Sequence, residues 1–220
     1  MVLMVILLNI LPVSEAMVVH GLVQLISTGS RIALYSKSLR QEIILKYILG
    51  VLLTLVIFKM INFYPNKAMI YLMLGLMPFI GFTRHVGHRI SITKPGRSFV
   101  CGMLITAVQL SAGVAGPILD IFFLNAPLNR YEILATKALT QALGHIVKVY
   151  FYGMILFQSG QNISLPSWSI PVIVVLTLLG NFLGSKIVAR INDQAFKKVS
   201  RYFIYLITIP LLIKGIRMLY

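Results

Sequence analysis

Gly113-Val114-Ala115-Gly116-Pro117-Ile118-Leu119-Asp120 interrupts an apolar run that extends from residue 98 to residue 125. Proline removes a backbone donor, and the two glycines weaken helix on either side of the break. Where the surroundings are lipid, such a break is tolerated only inside protein or beside a watery cavity. The run therefore reads as one kinked span or as a re-entrant pair of half-helices.

The rest of the chain says that the surroundings are lipid. Of 220 residues, 58% are hydrophobic and 11% are charged, and mean hydropathy is +0.90. Soluble domains carry about a quarter charged residues. The composition excludes a soluble enzyme, a disordered chain and a water-exposed nucleic-acid binder. At about 20 residues per span, the length allows roughly six to eight membrane segments. The stretches 14–35, 42–63, 67–82, 131–158, 169–190 and 200–219 fit. The expected fold is all-α and polytopic, with six full transmembrane helices plus re-entrant or broken helices.

The charge pattern orients these segments. Lys and Arg number 20 against 5 Asp and Glu, a net charge of +15. The cations cluster between apolar runs: Arg31, Lys37, Arg40 and Lys46; Arg84, Arg89, Lys94 and Arg97; Lys186, Arg190, Lys197, Lys198 and Arg201. Positive loops stay cytoplasmic. The 159–168 loop carries no charge and belongs outside. Between the second cluster and that loop the chain must cross an odd number of times. Two full spans, 98–125 and 131–158, would cross twice. A re-entrant 98–125 leaves one crossing and returns Arg130 to the cytoplasmic side, so the re-entrant reading is preferred.

The sequence also repeats itself. When Glu15–Tyr35 is laid on Glu132–Tyr152, Glu15 meets Glu132, Leu22 meets Leu139, Gln24 meets Gln141 and Tyr35 meets Tyr152. Leu8-Asn9 meets Leu124-Asn125, and Leu49-Gly50 with Ile61-Asn62 meets Leu179-Gly180 with Ile191-Asn192. Combined with the loop charges, the order of matches predicts two inverted repeats. These are residues 1–97, with a cytoplasmic loop at 83–97, and residues 98–220. Inverted repeats with broken helices are a transporter architecture, with the site at the repeat interface.

A polar stripe marks that interface. His20, Gln24, Ser27 and Arg31 recur at helical spacing, and Lys137, Gln141, Gly144 and Lys148 take the same positions in the second copy, with Thr136 and His145 beside them. Facing lipid, unpaired groups of this kind cost several kcal/mol each. They are expected to face inward. Amides, hydroxyls and cations around one space suit an anion, and half-helix N-termini at the glycine-rich break add N–H donors. The glutamines serve equally well as glue between helices. Arg31 and Lys148 lie near predicted helix ends, where long side chains snorkel; Lys137 lies deeper and is the better cation candidate. Asp120 reads as a coupling acid or as the partner of Lys137 or Lys148.

Other chemistries find no support. Cys101 is a lone cysteine, so an internal disulfide and a cysteine metal cage are excluded. His20, His85, His88 and His145 form no tight ligand cluster, and neither a metal nor a cofactor is expected. No nucleophile elbow, P-loop or zinc-protease signature is present. The N-terminus has no Lys or Arg before its apolar run and lacks the basic region of a signal peptide.

Gly113-Val-Ala-Gly116-Pro117-Ile-Leu-Asp120-Ile-Phe-Phe123, followed by Ala135-Thr136-Lys137-Ala138, Gln141, His145 and Lys148, resembles the second half of the TauE/SafE sulfite exporter family, also called toluene-sulfonate uptake permeases. Val23-Gln24-Leu25-Ile26-Ser27-Thr28-Gly29-Ser30-Arg31 resembles its first-half motif. The resemblance implies a secondary permease for sulfur-containing anions, such as sulfite or organosulfonates, in a bacterial inner membrane. The family usually opens with a glycine-rich segment that is the counterpart of residues 98–117. This chain starts near that segment's second arm, so a late start or a shortened homologue is expected.

The expected function is thus secondary transport of a small oxyanion. Gln24, Ser27, Gly113, Gly116, Thr136, Lys137, Gln141, His145 and Lys148 would line the path, with Asp120 as a coupling or pairing acid. The expected partners are the anion, the lipid bilayer and further copies of the chain, and nucleic acid is not among them. The rival expectation is a non-transporting membrane module that partners another membrane protein. Enzymatic activity is not expected.

Overall fold

Asn129 opens the longest described helix with a reciprocal cap. Its side-chain oxygen accepts from the backbone N–H groups of Tyr131 and Glu132, each at 3.0 Å, and Glu132 Oε2 accepts from the Asn129 N–H at 2.9 Å. The computed structural model describes residues 2–82, 90–124, 126–161, 163–166, 168–190, 206 and 208–219. Among these, every regular element is helical. The α-helices are α1 (Val2–Ile10), α2 (Val13–Tyr35), α3 (Gln41–Met60), α4 (Lys67–Phe82), α5 (Arg97–Ala112), α6 (Gly116–Leu124), α7 (Arg130–Gln158) and α8 (Ser169–Arg190). A short 3-10 turn, Ser36–Ser38, follows α2, and a C-terminal helical segment covers 208–217. Arg84, His85, His88, Arg89, Asn125, Asn162 and all of 191–205 lie outside the described residues.

The helix ends follow from local chemistry. Pro12 separates α1 from α2. Gly96 and Gly113, with φ of 72° and 77°, bracket α5 in a backbone region that glycine enters without strain. Pro117 sits in the first turn of α6, where its missing N–H has no helical partner to lose.

The 98–125 run forms a helical hairpin and not one kinked helix. The Ile92 N–H donates to the Phe122 carbonyl at 2.8 Å, so the end of α6 returns beside the chain that leads into α5. The Ser98 hydroxyl donates to the Ile92 carbonyl at 2.7 Å and fixes the same corner. Residues 39–46, 93–98 and 127–128 accordingly border a single basin of about 530 Å³ at one end of the molecule. Phe58–Tyr64 and Phe151–Gln158 meet at another cavity, distant from that basin along both α3 and α7.

The two halves contact each other reciprocally. Glu15, in the first turn of α2, accepts from Ser164 N–H at 2.7 Å and from its hydroxyl at 2.9 Å, in the loop after α7. Glu132, in the first turn of α7, pairs at 2.9 Å with Arg40, in the loop after α2. A Cβ on Gly75 would strike Leu212, and one on Gly215 would strike Leu72. α2 and α7, the most extensive helix pair, run antiparallel.

α3 and α5 form the second large pair, and their backbones nearly touch. A Cβ on Gly50 would collide with the Phe99 carbonyl, and one on Gly102 with the Tyr47 carbonyl. Thr54 Oγ1 donates to the Gly50 carbonyl at 3.0 Å and lies 3.3 Å from the Met103 carbonyl. Small residues at such spacing let helices approach by van der Waals contact where water supplies no drive.

Large apolar side chains are exposed along several helices, and one lysine lies in the interior. Leu45 and Leu176 are 64% and 62% exposed, whereas Lys148 is fully buried at 0%. By length and composition, α3 is the one described helix long and apolar enough to cross a membrane, against the six expected. The polar stripes of α2 and α7 lower their hydropathy. Part of the last expected span falls outside the described residues.

Candidate functional site

Gly21 allows α2 and α7 to approach at their crossing. A Cβ there would lie 3.3 Å from Lys148 Cε and 2.5 Å from Val149 Cγ2, well inside contact distance. The lysine stem therefore passes α2 and delivers its amine to the α5–α6 break. Nζ lies 2.7 Å from His20 Nδ1 and 2.9 Å from the Gly113 carbonyl. Gly113 can hold this position because its backbone is left-handed, and a side chain there would press on Met17 and Met4. Among the described residues, no carboxylate pairs with Lys148.

Beside this amine is a cavity of about 150 Å³. Its polar lining is His20 and Gln24 from α2, Gln109 from α5, and Gln141 and His145 from α7, and Ala115-Gly116 at the helix break close one side. Gln109 Nε2 lies 2.7 Å from His145 Nδ1. An amide nitrogen only donates, so Nδ1 accepts and the ring carries its proton on Nε2. His20 Nε2 is buried and has no hydrogen-bond partner. The His20 and His145 rings stand 6.0 Å apart. A volume of this size holds about five atoms of the size of water. It can surround a small polyatomic anion with amide and imidazole N–H donors, next to one buried amine.

The residues expected at the site from sequence divide into two groups. Gln24, Gly116, Gln141 and His145 line the cavity, while Gly113 and Lys148 stand directly behind it. Ser27 instead hydrogen-bonds Asn181 on α8 at 3.2 Å. Thr136 accepts the Arg40 N–H at 3.2 Å and ties the loop after α2 to α7. Lys137 pairs with Asp120 at a solvent-accessible edge, the two side chains being 28% and 56% exposed. The deep cation is therefore Lys148 and not Lys137, and Lys148 does not snorkel. It lies ten residues from the C-terminal end of α7, whose bounds match the expected 131–158 stretch to within a residue. Gln109 escaped the sequence reading, although it is the one amide in the 98–124 run and carried a signal of its own. His20 was on the stripe but was not singled out.

The chain matches no family model, no curated protein and no solved structure.

Proposed function

We propose that this protein is a secondary membrane transporter (permease) for small anions, of the sulfur-containing oxyanion class that the TauE/SafE resemblance implies. It acts as two inverted repeats in a bacterial inner membrane, with α5 and α6 as a re-entrant hairpin. The observation that carries this reading is the fully buried Lys148 amine, without a carboxylate partner among the described residues, beside a cavity lined by amide and imidazole side chains. A buried cation without a counter-charge is costly. An anion that visits the cavity supplies that counter-charge.

The surroundings support transport across a bilayer. Leu45, Leu49, Leu52 and Val56 expose one apolar face of α3, and Val172, Val175, Leu176 and Leu179 expose another on α8. Apolar surface of this extent marks contact with lipid or protein. The basin end carries Arg40, Lys46 and Lys94, the cation excess of a cytoplasmic face.

The test is flux. The purified chain is reconstituted in liposomes loaded with labelled sulfite, methanesulfonate or phosphate. Faster release of a sulfur oxyanion than from empty-membrane controls is expected. The double variant Gln24→Ala/Gln141→Ala should abolish it while leaving membrane insertion intact. Release at the control rate for every anion would sink the reading.

A further inference from the structure

The Lys148–His20 contact joins two groups that compete for a proton at a place where, among the described residues, no acid pairs with the lysine. The facing groups can be named element by element. α2 presents His20, Gly21 and Met17; the α5–α6 break presents the Gly113 carbonyl; α7 presents His145 and Tyr152. Tyr152 donates its hydroxyl to the Leu110 carbonyl at 2.5 Å and is already committed. His145 accepts from Gln109. Among the described residues, Glu15 is engaged with Ser164, Glu132 with Arg40 and Asp120 with Lys137, and no acid pairs with Lys148. A positive charge on the pair is then balanced by what occupies the cavity.

We propose that each anion enters this cavity together with one proton, which is held between Lys148 Nζ and His20 Nδ1. The inference rests on the anion reading above and adds its coupling. The proton comes from bulk water and forms an N–H bond on Nζ. The resulting ammonium donates to the Gly113 carbonyl and to His20 Nδ1, so the imidazole keeps its own proton on Nε2. That atom is the partnerless one, and it becomes a donor to the anion. A singly charged anion plus one proton adds no net charge to the buried site, which removes the cost of burying either alone. Transport of a monoanion is then electroneutral.

The test uses the detergent-purified full chain and methanesulfonate, a strong-acid anion that brings no proton of its own. Proton uptake is read with a pH indicator in weakly buffered solution while binding is followed by calorimetry. Uptake of one proton per bound anion is expected, with affinity falling about tenfold per pH unit on the alkaline side. In Lys148→Arg the guanidinium stays charged at all accessible pH, so proton uptake and pH dependence should both vanish. If that variant does not fold, the proton count on the unmodified chain decides alone. Binding without proton uptake overturns the coupling and leaves the anion reading standing. Binding of neither methanesulfonate, sulfite nor nitrate overturns both.

Discussion

Lys148 and His20 lie 128 residues apart in sequence, yet Nζ of one sits 2.7 Å from Nδ1 of the other with both side chains buried. α2 and α7 cross antiparallel at Gly21, and only this crossing brings the two residues into one site. Lys148→Met keeps the length of the side chain and removes the amine. Thermal stability without anion should fall by about 1–3 kcal/mol, because the change strands two buried partners of the amine, His20 Nδ1 and the Gly113 carbonyl. Any anion-dependent rise in Tm should disappear. Thermal unfolding with and without sulfite checks both.

Lys137 and Asp120 offer the opposite case. Their side chains are partly exposed, and screened pairs contribute about 0–1 kcal/mol. Lys137→Ala and Asp120→Ala should each change stability by less than about 1 kcal/mol and leave anion affinity unaltered. A double-mutant cycle on Tm, together with binding calorimetry, measures this. Loss of affinity in either variant would return Lys137 to the site.

The α3–α5 crossing should be intolerant of bulk. Gly50→Val or Gly102→Val places a side chain against backbone carbonyls that cannot rotate away. A cost of more than about 1–3 kcal/mol, the usual range for overpacking, is expected. Gly29→Ala meets nothing within 4 Å and should be neutral or stabilising by up to about 1 kcal/mol, since alanine favours helix. Paired thermal-unfolding curves in one detergent provide the comparison.

Glu15 and Glu132 occupy like positions in the two halves but differ in burial. Glu15 is 3% exposed and accepts two hydrogen bonds from Ser164, whereas the Glu132 side chain is 17% exposed and pairs with a half-exposed Arg40. Hydrogen bonds to charged groups contribute about 1.5–3 kcal/mol when desolvated. Glu15→Ala should therefore destabilise more than Glu132→Ala. Protease sensitivity of the 159–168 loop should rise only in the former.

Much of this fold was legible one residue at a time. Pro12, Gly113 and Pro117 mark helix breaks because they change what the backbone can do wherever they stand. The Asn129–Glu132 capping box lies within four residues, so no distant contact is needed to form it. Loop charges favoured a hairpin at 98–125, and the Ile92–Phe122 bond closes one. The stripe on α2 and α7 followed from helical period alone.

Which members of that stripe meet, and what joins them, depends on the tertiary structure. Periodicity tells which residues share a face but not how a helix is rotated against its neighbour or how deep each turn lies. Lys137 and Lys148 are equally cationic in sequence. The α2–α7 crossing buries one, and the Asp120 side chain draws the other to an edge. Gln109 enters from a third helix, whose place is set by glycine contacts with α3. The sequence by itself determined an apolar, helical chain with polar faces, because those properties are local. Only the packing of three segments distant in sequence decided that two histidines would line one cavity with a lysine amine behind it.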